Sequence, residues 1–182
     1  MDAHAPTSRA RLTEAAARLF QVKGYHGTSV AEVLAEAGLP KGSLYHHFPQ
    51  GKADLARAAA ALASDMMRDI VGAAFEPAES PGHGVARLCE KFARLFERQP
   101  HWRACPVQAL LDGPLDRMSA EAHLQAWLAA TAAHLDRLGD PAPDARARRL
   151  WTLLIGAWTM ARAADDPGAL RAVPAMMESA DA

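Results

Sequence analysis

Apolar residues recur every three to four positions along most of this chain, and no stretch alternates with a period of two. That spacing puts apolar side chains on one face of an α-helix. The pattern predicts an all-α fold of about nine helices. Leu12, Ala16, Leu19 and Phe20 form the first stripe, and Gly24 stops it. Ser29 to Glu32 has the spacing of a capping box, in which two side chains satisfy backbone N–H groups at a helix start. Thr28 competes as the cap. Val30, Val33, Leu34 and Ala37 face inward from that second helix, and Gly38 offers a left-handed stop. A third helix of barely two turns starts at Pro40, whose missing N–H costs little in a first turn. Leu44 and Phe48 anchor it at i, i+4.

A long helix over 52–75 follows, with the stripe Leu55, Ala59, Leu62, Met66 and Ile70. Residues 76–84 are rich in Pro, Gly and Ser and read as a loop. Val85, Leu88, Phe92, Leu95 and Phe96 mark a fifth helix. Pro100, Pro106 and Pro114 break the next region, leaving one short helix near 107–112. Helices over 119–138, 144–164 and 167–178 complete the chain. The organisation expected is an N-terminal three-helix head, residues 1–52, on a helical body, residues 53–182. There is no internal repeat or low-complexity tract.

Composition narrows the class. The chain has 182 residues, 50% hydrophobic and 23% charged, which suits a packed globular protein and not a disordered one. The longest strongly apolar run, 58–63, is far too short for a membrane span. The opening MDAHAPTSR lacks the apolar stretch of a secretory signal. Two cysteines, Cys89 and Cys105, make no disulfide framework. A cytoplasmic protein without a membrane partner is expected. Net charge is −1, but residues 1–52 hold six Lys/Arg against four Asp/Glu, and the remainder 14 against 17. A slightly basic head on an acidic body suits an anionic partner at the head.

The short third helix carries the chemistry. With Leu44 and Phe48 turned inward, Lys41, Gly42, Ser43, Tyr45 and His46 are left to face outward. Lys41 and His46 can donate to base-edge acceptors such as guanine O6 and N7, and Ser43 to either partner. Gly42 lets the backbone approach closely. Tyr45, Thr28, Ser29 and Lys52 suit phosphate oxygens, which set register and not sequence. Spacing alone also allows a small helical subdomain with a solvated polar face. The adjacent pair His46–His47 points about 100° apart on a helix, so it makes no metal site; neither metal nor cofactor is expected.

The segments ARLF (17–20), GYHGTSV (24–30), Val33, AGLPKGSLYHHF (37–48), Lys52 and Leu55 together resemble the N-terminal domain of TetR-family transcriptional regulators. The resemblance implies a homodimer with a helix-turn-helix head, a double-stranded DNA operator as partner, a ligand cavity in the body, and two C-terminal helices that pair across the dimer. The family's commonest pattern has Ser or Thr where Pro40 stands, and FPSK where this chain has the longer FPQGK. Both departures, with ACPV at 104–107, resemble a branch typified by the LmrA/YxaF-type drug- and flavonoid-responsive repressors.

In the body, Met66, Phe92, Phe96, Trp102, Cys105, Trp127 and Trp158 are candidates to line a cavity for a small apolar or aromatic effector. Each taken singly reads as core. Cys105 reads as a small buried hydrophobe or as a thiol near the pocket. Small residues on helix 144–164 allow close helix approach, so Leu150, Trp151, Leu154, Gly156, Ala157 and Ala161 are expected at a dimer interface, with packing inside one protomer as the alternative. No Gly-x-Ser-x-Gly, P-loop, His-Glu-x-x-His or paired-cysteine pattern supports an enzyme. A protein-binding co-regulator does not need so basic a recognition face. The expectation is a DNA-binding regulator, in first place a repressor released from a pseudo-palindromic operator by ligand. The sign of regulation depends on operator position, which this chain does not encode.

Overall fold

The computed structural model describes residues 6–99 and 117–178. They form eight helices: α1 (Ser8–Lys23), α2 (Val30–Ala37), α3 (Gly42–His47), α4 (Lys52–Phe75), α5 (Pro81–Arg98), α6 (Arg117–Arg137), α7 (Pro143–Ala164) and α8 (Gly168–Glu178). No strand occurs among the described residues. The short helix expected at 107–112 lies outside them.

Two apolar cores organise these helices. The head core joins Leu12, Ala16 and Phe20 of α1 to Val33 and Leu34 of α2, Leu44 of α3, Phe48, and Leu55, Ala56 and Ala59 of α4. The body core starts on the same helix at Ala60 and continues through Met67, Val71 and Phe75 to Leu88 and Phe92, Trp127, Leu150 and Trp158, and Leu170. The boundary expected after residue 52 therefore falls at the first residue of α4, and the first two turns of α4 complete the head.

Caps set the starts of α1, α2 and α5. The Thr7 side chain accepts the Ala10 N–H at 3.2 Å to open α1, and Gly24, at φ 73°, closes it. Ser29 and Glu32 form the expected capping box. Helix α5 begins inside the segment expected to be loop. Ser80 accepts the His83 N–H at 3.2 Å, and Pro81 supplies a preset φ at the first turn. Gly84 is needed there, since a Cβ would stand 2.2 Å from the Phe75 ring. The last carbonyls of α4 lack helical partners. Arg87 donates to the Ala74 carbonyl at 2.9 Å and Arg137 to that of Phe75 at 2.8 Å.

One stripe residue is out of phase. Met66 is 42% exposed, while Met67 is buried beside Ser64. Adjacent helical side chains diverge by about 100°, so the inward face of α4 passes through 64 and 67.

Candidate nucleic-acid interface

The head presents α3 from a fixed base. Leu44 is 0% exposed and Phe48 2%, both in the head core. Ion pairs Arg18–Glu36 at 3.2 Å and Lys23–Glu32 at 2.6 Å run between α1 and α2. The Lys23 ammonium and the Ser29 backbone N–H and hydroxyl hold the Glu32 carboxyl down at about 2. Pro40 precedes α3 and does not open it: its carbonyl accepts the Ser43 N–H at 3.0 Å, and the helix starts at Gly42.

Lys41, Gly42, Tyr45 and His46 are exposed, and Ser43 is half-buried. A Cβ at Gly42 would meet nothing within 4 Å, so the backbone itself is open to approach. The His46 ring lies edge-on to His47 at 4.8 Å. Lys52 starts α4 with its ammonium 4.2 Å from the centre of the Tyr25 ring, a cation–π contact that holds it beside the head. Before it, Gly51 adopts φ 67° and ψ −129°, a conformation that side-chain-bearing residues rarely reach. The extra residue of FPQGK is thus absorbed in a glycine turn. From α1, Arg9 places its guanidinium 5.5 Å from the centre of the Phe48 ring, another cation beside α3. Sequence reasoning passed over Arg9 and Tyr25, whose contacts join distant segments and leave no local pattern.

Thr28 corrects the expected phosphate set. It is buried, and its hydroxyl donates to the Gly24 carbonyl at 2.9 Å. It ties the turn to α1 and offers no side-chain donor outward. Ser29 stays exposed, though its hydroxyl donates to Glu32 at 2.8 Å.

Residues 12–59 match the profile of bacterial regulatory proteins, tetR family. The chain belongs to the TetR family. The match ends at Ala59, the last α4 residue of the head core. Among curated relatives, the HTH-type transcriptional regulator LmrA of Bacillus subtilis (strain 168) is 35% identical over 103 residues, 57% of this chain and 55% of that protein. The uncharacterized HTH-type transcriptional regulator YxaF of the same strain is 33% identical over 103 residues, 57% and 54%. The chain thus spans about half the length of the curated relatives it matches. Both belong to the branch that Pro40 and FPQGK resemble. The structure of regulatory protein TetR from Rhodobacter sphaeroides, 25% identical, superposes with a TM-score of 0.81 over 93% of this chain and 96% of that one, so the likeness extends through the body. These relatives are regulators, and none supports the enzyme reading.

In the body of this TetR-family chain, Phe92, Phe96, Trp127 and Trp158 are buried together. Phe92 lies 5.0 Å from Trp158, and Trp127 5.4 Å from Trp151, centre to centre. Met66 does not join them, for the phase reason given above. Trp102 and Cys105 lie outside the described residues. Burial pushes the Cys89 thiol up to about 12.

The residues expected to pair across a dimer need a larger correction. Leu150, Trp151, Leu154, Ala157 and Ala161 are all buried inside their own protomer. Only Gly156 of that set is exposed. The small residues let α7 pack closely on α6 and α8 of the same chain. The outward face of α7 carries Thr152, Gly156, Thr159 and Met160, the last 63% exposed.

Proposed function

We propose that this protein is a dimeric transcriptional repressor that leaves a pseudo-palindromic operator when a small apolar or aromatic compound binds its body. The observation that carries the reading is α3, locked inward by Leu44 and Phe48 and exposing Lys41, Gly42, Tyr45 and His46 on its other side. Lys41, His46 and Ser43 read base edges in the major groove. Tyr45, Lys52 and Ser29 meet phosphates, Lys52 by swinging off Tyr25. The partner is double-stranded DNA, in the cytoplasm; no helix among the described residues is long and apolar enough to cross a membrane.

A homodimer follows from two-fold readout of two half-sites about one DNA turn, ~34 Å, apart. The outward face of α7, around Gly156 and Met160, is its interface. The buried aromatic group at Phe92, Phe96, Trp127 and Trp158 supports an apolar effector, because aromatic side chains offer ring faces and edges on which a flat ring packs favourably. A seated repressor blocks polymerase, and a ligand favouring another body conformation releases it.

The test is selection of duplexes from a random DNA pool by the full chain. A two-fold-symmetric site should emerge, with affinity falling steeply as salt rises, because phosphate contacts release counterions. Binding without sequence preference, or without salt dependence, would refute the reading.

A further inference from the structure

A hydrogen-bonded path crosses the apolar core of the body, and it starts on the helix that carries the head. Ser64 of α4 is 3% exposed, one turn past the point where the head core gives way to the body core. Its Oγ accepts the indole N–H of Trp127, on α6, at 3.0 Å. The Trp127 carbonyl accepts the Thr131 hydroxyl at 2.9 Å. The same Thr131 oxygen accepts the indole N–H of Trp151, on α7, at 3.0 Å. Among the described residues four polar side chains are buried, and Ser64 and Thr131 are two of them.

Apolar packing is non-directional, so a helix that slides or rolls by about an ångström keeps most of its burial. A buried indole N–H does not tolerate this. It needs its acceptor at about 3 Å and near-linear, and it is left unsatisfied otherwise. The path therefore fixes α4 against α6, and α6 against α7.

We propose that Ser64, Trp127, Thr131 and Trp151 are positioning residues for DNA binding. They hold the head's helix in register with the helix whose outer face makes the dimer, and so set the distance between the two recognition helices. The proposal rests on the dimeric repressor reading above.

The experiment uses a duplex selected by the wild-type chain, versions with one base pair added or removed between half-sites, and an isolated half-site. Ser64→Ala, Trp127→Phe and the double variant are compared with wild type by fluorescence anisotropy, with melting curves alongside. Ser64→Ala and Trp127→Phe should each weaken binding to the selected duplex about tenfold, the worth of one buried hydrogen bond. Each should lose much of the discrimination against altered spacing, and the double variant should be no worse than either single one. Half-site binding should be unchanged. Should Trp127→Phe fail to fold, Thr131→Val takes its place, with the same outcome expected. Wild-type spacing discrimination in the variants would overturn the proposal. So would half-site binding that falls in parallel, which marks a merely destabilised head. A wild-type chain that selects no paired half-sites overturns the dimeric reading itself, and is recognised before any variant is made.

Discussion

Gly51 supports the ring of Tyr45: a Cβ built on the glycine would come within 3.3 Å of Tyr45 Cε1. Carbon atoms pack best at about 3.5–4.0 Å, so any side chain there pushes the tyrosine. Its φ of 67° also strains other residues, at about 1–3 kcal/mol. Gly51→Ala should weaken DNA binding for all sequences alike, because Tyr45 is assigned to phosphate. In a Tyr45→Ala background the added loss should shrink. An equal loss in both backgrounds would mean that Gly51 serves only the turn.

Acid should loosen the head through Glu32. Its folded pKa is held at about 2, against an ordinary 4.5. A group with a depressed folded pKa stabilises above its unfolded value, and that contribution fades as pH falls towards the folded one. The melting-temperature gap between wild type and Glu32→Ala should therefore be full at neutral pH and close between about pH 4.5 and 2. A gap independent of pH would assign the effect to helix propensity and not to the carboxylate.

Met160 and Leu154 lie on the same helix but should fail differently. Met160→Glu places a charge on the outward face of α7, and light scattering should then give the 19.5 kDa monomer. Leu154 is fully buried in its own protomer. Leu154→Ala should lower stability by about 2–5 kcal/mol while the folded fraction remains dimeric. The opposite pairing of outcomes would restore the inward residues as the interface.

Cys89 should be chemically silent in the folded chain. Its thiol is buried and its pKa raised to about 12, and the thiolate is the reactive form. In a Cys105→Ser variant, an aromatic disulfide reagent should label Cys89 only as fast as the protein opens. Rapid labelling under native conditions would contradict the burial.

Much of the head is legible because its sequence signals are local. The Ser29–Glu32 box, the glycine stop at Gly38 and the Leu44/Phe48 pair each act within a few residues. Thr28 escaped because the residue before a cap can turn its hydroxyl towards phosphate or back towards the preceding helix, and only the position of the Gly24 carbonyl decides. The body resists for another reason. Between residues 150 and 161 α7 has no charged side chain, so periodicity marks a helix without telling which side meets α6 and which meets another chain. Met66 and Met67 show the same ambiguity on α4. The path from Ser64 to Trp151 joins residues far apart in sequence, and no spacing rule connects them.

Because α4 passes unbroken from one core into the other, the head is not a detachable cassette. A chimaera joined after residue 52 would part Leu55, Ala56 and Ala59 from the surface they complete, and would expose that surface to whatever helix the donor supplied. A seam just after Ala59 keeps the head whole, but every residue added to or removed from α4 there rotates the new head by about 100° about the helix axis. Exchange of DNA specificity between such proteins is therefore a problem of angular phase along one helix, and a productive graft must conserve its residue count.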